Sequence, residues 1–154
     1  MNIIAIDPGK QCGVALFRKG KLYTSLSLNL DDPYAISSLR STLRKKMGAA
    51  FVVVAERGGW RSMPNAYYVG VSLGYLLGGT ELPRPHHYVE PAKWRQAVLG
   101  KGRITKPEVV SWVQTNAKKS VEDHNEAEAI CIGYYFLWRH AGEGRGSQET
   151  LCVE

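Results

Sequence analysis

Phe51-Val52-Val53-Val54-Ala55 is an unbroken apolar run of β-forming residues, too short for a helix. A strand without polar alternation has to be covered on both faces, so the chain must place this one inside a sheet with layers packed above and below it. Other segments read as the neighbouring strands. Asn2 to Asp7 is an Ile-rich run closed by Pro8-Gly9, and Gly13 to Arg18 is a second run ending at Lys19-Gly20. Leu22, Thr24, Leu26 and Leu28 then alternate as a half-buried third strand, which makes the opening an antiparallel meander. His87 to Val89 reads as a short further strand.

Helices supply the covering layers. Asp31-Asp32-Pro33 is a helix-start signal, followed by Ile36, Leu39, Leu43 and Met47 at helical spacing, with Arg40, Arg44, Lys45 and Lys46 on the exposed face and last turn. Asn65 to Leu77 is again helical, with Ala66, Gly70 and Gly74 forming a smooth stripe suited to close packing or a subunit contact. Pro91 to Leu99, Thr105 to Ala117 and Asp123 to Arg139 complete the set, and Thr105 with Glu108 has capping-box spacing. The expected class is α/β: a mixed sheet with helices on both faces. Residues 1–141 read as a single domain, and 142–154, rich in Gly and polar residues, as a flexible tail.

Length and composition exclude much else. A chain of 154 residues has room for one core, and no apolar run approaches the ~20 residues a membrane helix needs. With no secretory or organellar leader pattern, the expected location is the cytoplasm. Cys12, Cys131 and Cys152 are too few and too scattered for a disulfide framework or a zinc site. No phosphate-cradling GxxxxGK[ST] loop, GxGxxG fingerprint or HExxH pair occurs. A net charge of +6 favours a polyanionic partner, nucleic acid first among them.

The placement of the acids carries most of the functional information. Asp7 and Glu56 each close an apolar strand, where ligand-binding groups of sheet proteins gather, and Asp123 and Glu126 stand three apart at the head of the last helix, spaced to share a face. Four such carboxylates brought together would repel one another unless a cation neutralised them. An all-oxygen set suits Mg²⁺ or Mn²⁺ better than zinc, and two such ions can support phosphodiester hydrolysis. Each acid also has a plainer explanation. Asp7 can initiate a turn, Glu56 can be a solvated strand end, and Asp123 with Glu126 can be a helix cap.

At these residues the sequence resembles the RuvC-type Holliday-junction resolvases of the RNase H-like superfamily. Ile3-Ile4-Ala5-Ile6-Asp7-Pro8-Gly9 with Gly13-Val14-Ala15 resembles the opening strand, first acid and hairpin of that family, and Val52-Val53-Val54-Ala55-Glu56 the strand bearing its second acid. Asp123-His124-Asn125-Glu126-Ala127-Glu128-Ala129-Ile130 resembles its acidic helix start. Pro91-Ala92-Lys93-Trp94-Arg95 and Val98-Leu99-Gly100 before Lys106 resemble its basic segment. Glu126 stands where bacterial members often carry Asp, and the loop after Glu56 is rebuilt as Arg57-Gly58-Gly59-Trp60-Arg61; that Glu and the brevity of the chain look more like a phage or divergent member.

The resemblance implies an RNase H-like fold with a five-stranded sheet, a homodimer, and cleavage of four-way DNA junctions in recombination and repair with two Mg²⁺ (or Mn²⁺) ions per site. It assigns Asp7, Glu56, Asp123 and Glu126 as catalytic metal ligands. Arg57, Trp60 and Arg61 then read as a DNA-contacting loop whose Trp stacks on an unpaired base, unless Trp60 folds back onto the core. Lys93, Arg95, Lys101, Arg103 and Lys106 read as a phosphate track, with Lys106 near the scissile phosphate, unless they form only a solvated basic loop. His86 and His87 are assigned to the surface or to packing, and Trp94, Trp112, Trp138, Tyr134 and Tyr135 to core or dimer packing; His124 is left open. The alternatives are a structure-selective DNA-binding protein without turnover, an RNA-processing nuclease of the same fold, and, on the opening hairpin alone, a sugar-kinase-like half-domain.

Overall fold

A computed structural model describes residues 1–47, 51–57, 70, 74 and 87–143. Five strands form one mixed sheet: β1 (Ile3–Asp7), β2 (Gln11–Arg18), β3 (Lys21–Asn29), β4 (Val52–Glu56) and β5 (His87–Val89). Their spatial order is β3-β2-β1-β4-β5. The meander β1-β2-β3 is antiparallel, while β4 runs parallel to both β1 and β5. The apolar run after residue 50 is therefore an interior strand, as its composition requires.

Side-chain alternation along β1 divides the core into two layers. Ile3 and Ala5 face a cluster built with Val54, Trp94, Val109, Ile130 and Phe136. Ile4 and Ile6 face the opposite cluster, with Val14, Leu16, Val53, Ala55 and Leu39. Leu39 belongs to α1 (Pro33–Met47), whose first turn is capped by Asp32, its Oδ1 accepting the amides of Tyr34 at 2.9 Å and Ala35 at 3.2 Å. The first layer is covered by α2 (Pro91–Leu99), α3 (Lys106–Trp112) and α4 (His124–Glu143). Helices on both faces are thus present, as expected. Cys12 and Cys131 are buried free thiols in opposite layers.

Two glycines admit α4 to the sheet. A Cβ on Gly13 would lie 1.9 Å from the carbonyl oxygen of Asn125, and one on Gly133 would lie 2.0 Å from the Phe17 ring. Gly13 therefore lets the start of α4 rest on β2. The helix expected over Thr105 to Ala117 is shorter. It keeps its capping box, with Glu108 accepting the Thr105 amide at 2.7 Å, but after Trp112 the backbone widens into a π turn over Val113–Ala117. Asn116 donates its side-chain amide to the Trp112 carbonyl, and Lys118, at φ 51°, ends the turn in the left-handed region. Of the helix expected over 65–77, only Gly70 and Gly74 are described, both helical. The expected tail lies outside the described residues, apart from the end of α4. Among the described residues, no helix is long and apolar enough to cross a membrane.

Candidate metal centre

Strand parity and parallel pairing bring the first two acids together. Ile6 is in register with Ala55, so the next residues, Asp7 and Glu56, close neighbouring parallel strands at the same edge. Both fall on the α4 side, in phase with Ala5 and Val54. The third acid there is Glu128, on the second turn of α4. Carboxylate oxygens of Asp7, Glu56 and Glu128 all lie within 4.8 Å of one another, the one such group among the described residues.

The two helix acids expected at the site, Asp123 and Glu126, have other partners here. Asp123 turns back on its own helix end, its Oδ1 accepting the amides of Asn125 at 2.8 Å and Glu126 at 3.1 Å. Glu126 is held elsewhere, accepting the Ser25 hydroxyl at 2.6 Å, with Lys119 Nζ 3.6 Å away. Glu126 and Glu128 are separated by about 200° around a helix axis, so the two cannot serve the same pocket. Asp123 still contributes to the field at Asp7, as the smallest of the influences acting on it.

The electrostatics mark the trio as a set of like charges in a dry place. Burial is the main cause that holds the Asp7 carboxyl well above the usual range; Glu128 and Glu56 add to it and Arg95 opposes it. Burial likewise lifts Glu56 to about 7, against the hydrogen bond from Trp94 and with Glu128 raising it further. Asp123 is different: against burial, the Glu126 amide, the Ser27 hydroxyl and Asn125 hold it below its ordinary value.

α2 completes the pocket wall. Trp94 is fully buried in the core, yet its indole Nε1 donates to Glu56 Oε2 at 2.6 Å, so a residue assigned to packing also fixes an acid. Its neighbour Arg95 points inward, with Nη2 3.5 Å from Glu128 Oε2 and 4.0 Å from Glu56 Oε2. Three hard oxygen donors this close together form a set that fits a divalent cation such as Mg²⁺ or Mn²⁺.

Arg57 follows Glu56 and pairs with Glu90 at 2.7 Å. Lys93, Arg103 and Lys106 are exposed on α2, in the connection to α3 and at the start of α3. Lys101 pairs with Glu108, whose carboxyl is lowered to about 2 mainly by that contact. Trp60, Arg61 and His86 lie outside the described residues. His87 packs away from the acids, 4.9 Å from the Phe136 ring, while His124 opens α4 outside the acid trio. Trp112 packs edge-to-face against both Tyr134 and Trp138, and Tyr135 is buried with its hydroxyl accepting from Arg139 at 2.9 Å.

Two solved structures share this architecture. Thermus thermophilus RuvC matches at 22% identity with a TM-score of 0.63, covering 92% of this chain and 96% of that one. T. thermophilus RuvC in complex with Holliday junction substrate matches at 20% identity with a TM-score of 0.67, covering 92% and 97%. The chain has the RuvC fold. The RuvC fold is an α/β RNase H-like architecture, and its likeness here extends over nearly the whole of both chains. No protein-family model and no curated protein matches the sequence.

Proposed function

We propose that the chain is a metal-dependent endodeoxyribonuclease that resolves four-way or otherwise branched DNA junctions by phosphodiester hydrolysis. The observation that carries this reading is the buried trio Asp7, Glu56 and Glu128 at the strand edge, on a fold shared with a protein solved on a Holliday junction. In this proposal the trio holds Mg²⁺ or Mn²⁺, two ions per site. Divalent ions held there supply an activated water and neutralise the charge on the departing oxygen. The chain's own groups do the rest. Trp94 fixes the orientation of Glu56, and Gly13 allows α4 to approach closely enough to present Glu128. Asp123 caps the helix start, and Glu126 ties it to β3.

The DNA side follows the basic segment beside Glu56. Lys93, Arg103 and Lys106, with Lys101 and Arg57, form the proposed phosphate track, and Trp60 and Arg61 remain proposed DNA contacts on their sequence alone. A homodimer would present two such sites to the two strands exchanged at a junction. The test is incubation with a synthetic four-way junction, a linear duplex and an RNA stem in Mg²⁺ or Mn²⁺. The junction is expected to be cut in preference, and Asp7→Asn is expected to bind it without cutting. Equal cutting by Asp7→Asn, or no product with any divalent ion, would overturn the proposal.

A further inference from the structure

Arg95 is placed unlike a surface phosphate contact. It lies one residue after the fully buried Trp94, and its side chain is only 28% exposed. Its Nη2 reaches Glu128 at 3.5 Å and Glu56 at 4.0 Å, both longer than the 2.7–2.9 Å typical of a charge-assisted hydrogen bond. Its Nε is buried without a hydrogen-bond partner, and its guanidinium lies 5.1 Å from the Trp94 ring centroid. Glu56 Oε2 is therefore shared unequally. The neutral indole N–H holds it at 2.6 Å, while the cation stands off at 4.0 Å.

A guanidinium built to lock two carboxylates would meet them in a bidentate fork with its donors satisfied. Arg95 instead offsets the repulsion among three acids through distance-tolerant Coulomb attraction, and leaves a buried donor unpaired. Unpaired buried donors are costly and persist where something else about the position requires them. The same oxygens are the donors that a divalent ion would use. We propose that Arg95 is a tethered cation of the acidic pocket, competing with divalent metal for Glu56 and Glu128 and withdrawing toward solvent when the metal enters. This rests on the metal-centre reading given above. It makes Arg95 a positioning residue that sets the metal concentration at which the site loads, so the site would bind metal less tightly than its three carboxylates alone allow.

The test is calorimetric titration of the full chain with MgCl₂, without DNA, at about pH 8.5, above the value near which Glu56 takes up its proton. Arg95→Met is expected to bind Mg²⁺ at least about tenfold more tightly than the parent, the order expected when a partly screened like charge is removed from beside the ion. Arg95→Lys, which keeps the charge, is expected to stay near the parent. A merely structural ion pair would show the opposite sign, with weaker binding as the pocket loosens. Should Arg95→Met fail to fold, Arg95→Gln gives the same comparison. Mg²⁺ binding by the parent with no gain in the neutral variants overturns the competition and leaves the nuclease reading standing; binding by neither removes both.

Discussion

Glu56 contributes to the site at the expense of the fold, and the size of that conflict follows from its surroundings. Its side chain is only 12% exposed, and burial chiefly raises its pKa from 4.5 to about 7. A carboxyl raised on folding binds protons more tightly in the folded state, so stability is greatest below the unfolded value, falls as pH rises through about 4.5 to 7, and levels off above. Each pKa unit is worth 1.36 kcal/mol, so the ionised group opposes folding by about 3 kcal/mol at about pH 8. Glu56→Gln removes that charge, and its side-chain carbonyl can still accept the Trp94 indole N–H. That net figure already includes the attraction to Arg95; the amide N–H₂ of Gln, placed beside the Arg95 guanidinium, which offers it no acceptor, offsets part of the gain, leaving about 1–2 kcal/mol. With urea slopes of about 1–3 kcal/mol/M, the midpoint at about pH 8 should rise by roughly 0.5–1 M, and the gap should close at about pH 4. Equilibrium urea unfolding at both pH values, without divalent ions, reads it directly. A variant no more stable than the parent at the higher pH would refute the reasoning that the trio is a set of buried, mutually repelling charges.

Other substitutions separate the roles of neighbouring residues. Glu128→Gln should lower junction cleavage at least about a hundredfold, as loss of a metal ligand would, whereas Glu126→Gln should lower it less than about tenfold; single-turnover rates at saturating protein decide between them. Trp94→Phe removes the donor to Glu56 and should destabilise the protein by about 1–3 kcal/mol while moving the acidic limb of the cleavage pH profile upward, since that hydrogen bond holds the Glu56 pKa down. Gly13→Ala should lower both stability and cleavage, because its methyl group would meet Asn125 backbone at 1.9 Å and push α4 off the sheet; thermal unfolding together with the single-turnover rate tests this.

Much of the scaffold was legible because its signals are local. The two apolar runs ending in Asp7 and Glu56 needed only period and length to be read as strands, and parallel pairing then set their ends side by side. The helix acids were not legible in the same way. Residues three apart share a helix face, but Asp123 and Glu126 stand at a helix start, where an acid is drawn to its own amides. Glu128 could not be singled out by helical phase, because Ala127, Ala129, Ile130, Cys131, Ile132 and Gly133 are all buried and leave no polar face to contrast with it. A carboxylate inside so apolar a stretch was itself the available signal. The contacts of Trp94 and Arg95 with Glu56 depend on how α2 returns across the sheet edge, a long-range relation that composition and spacing do not encode.

The most direct test is diffraction from crystals soaked in Mn²⁺, measured for anomalous scattering. Density is expected among the carboxylates of Asp7, Glu56 and Glu128, with Glu126 still on Ser25. Ordered manganese bound elsewhere, with that trio left without an ion at saturating Mn²⁺, would contradict it.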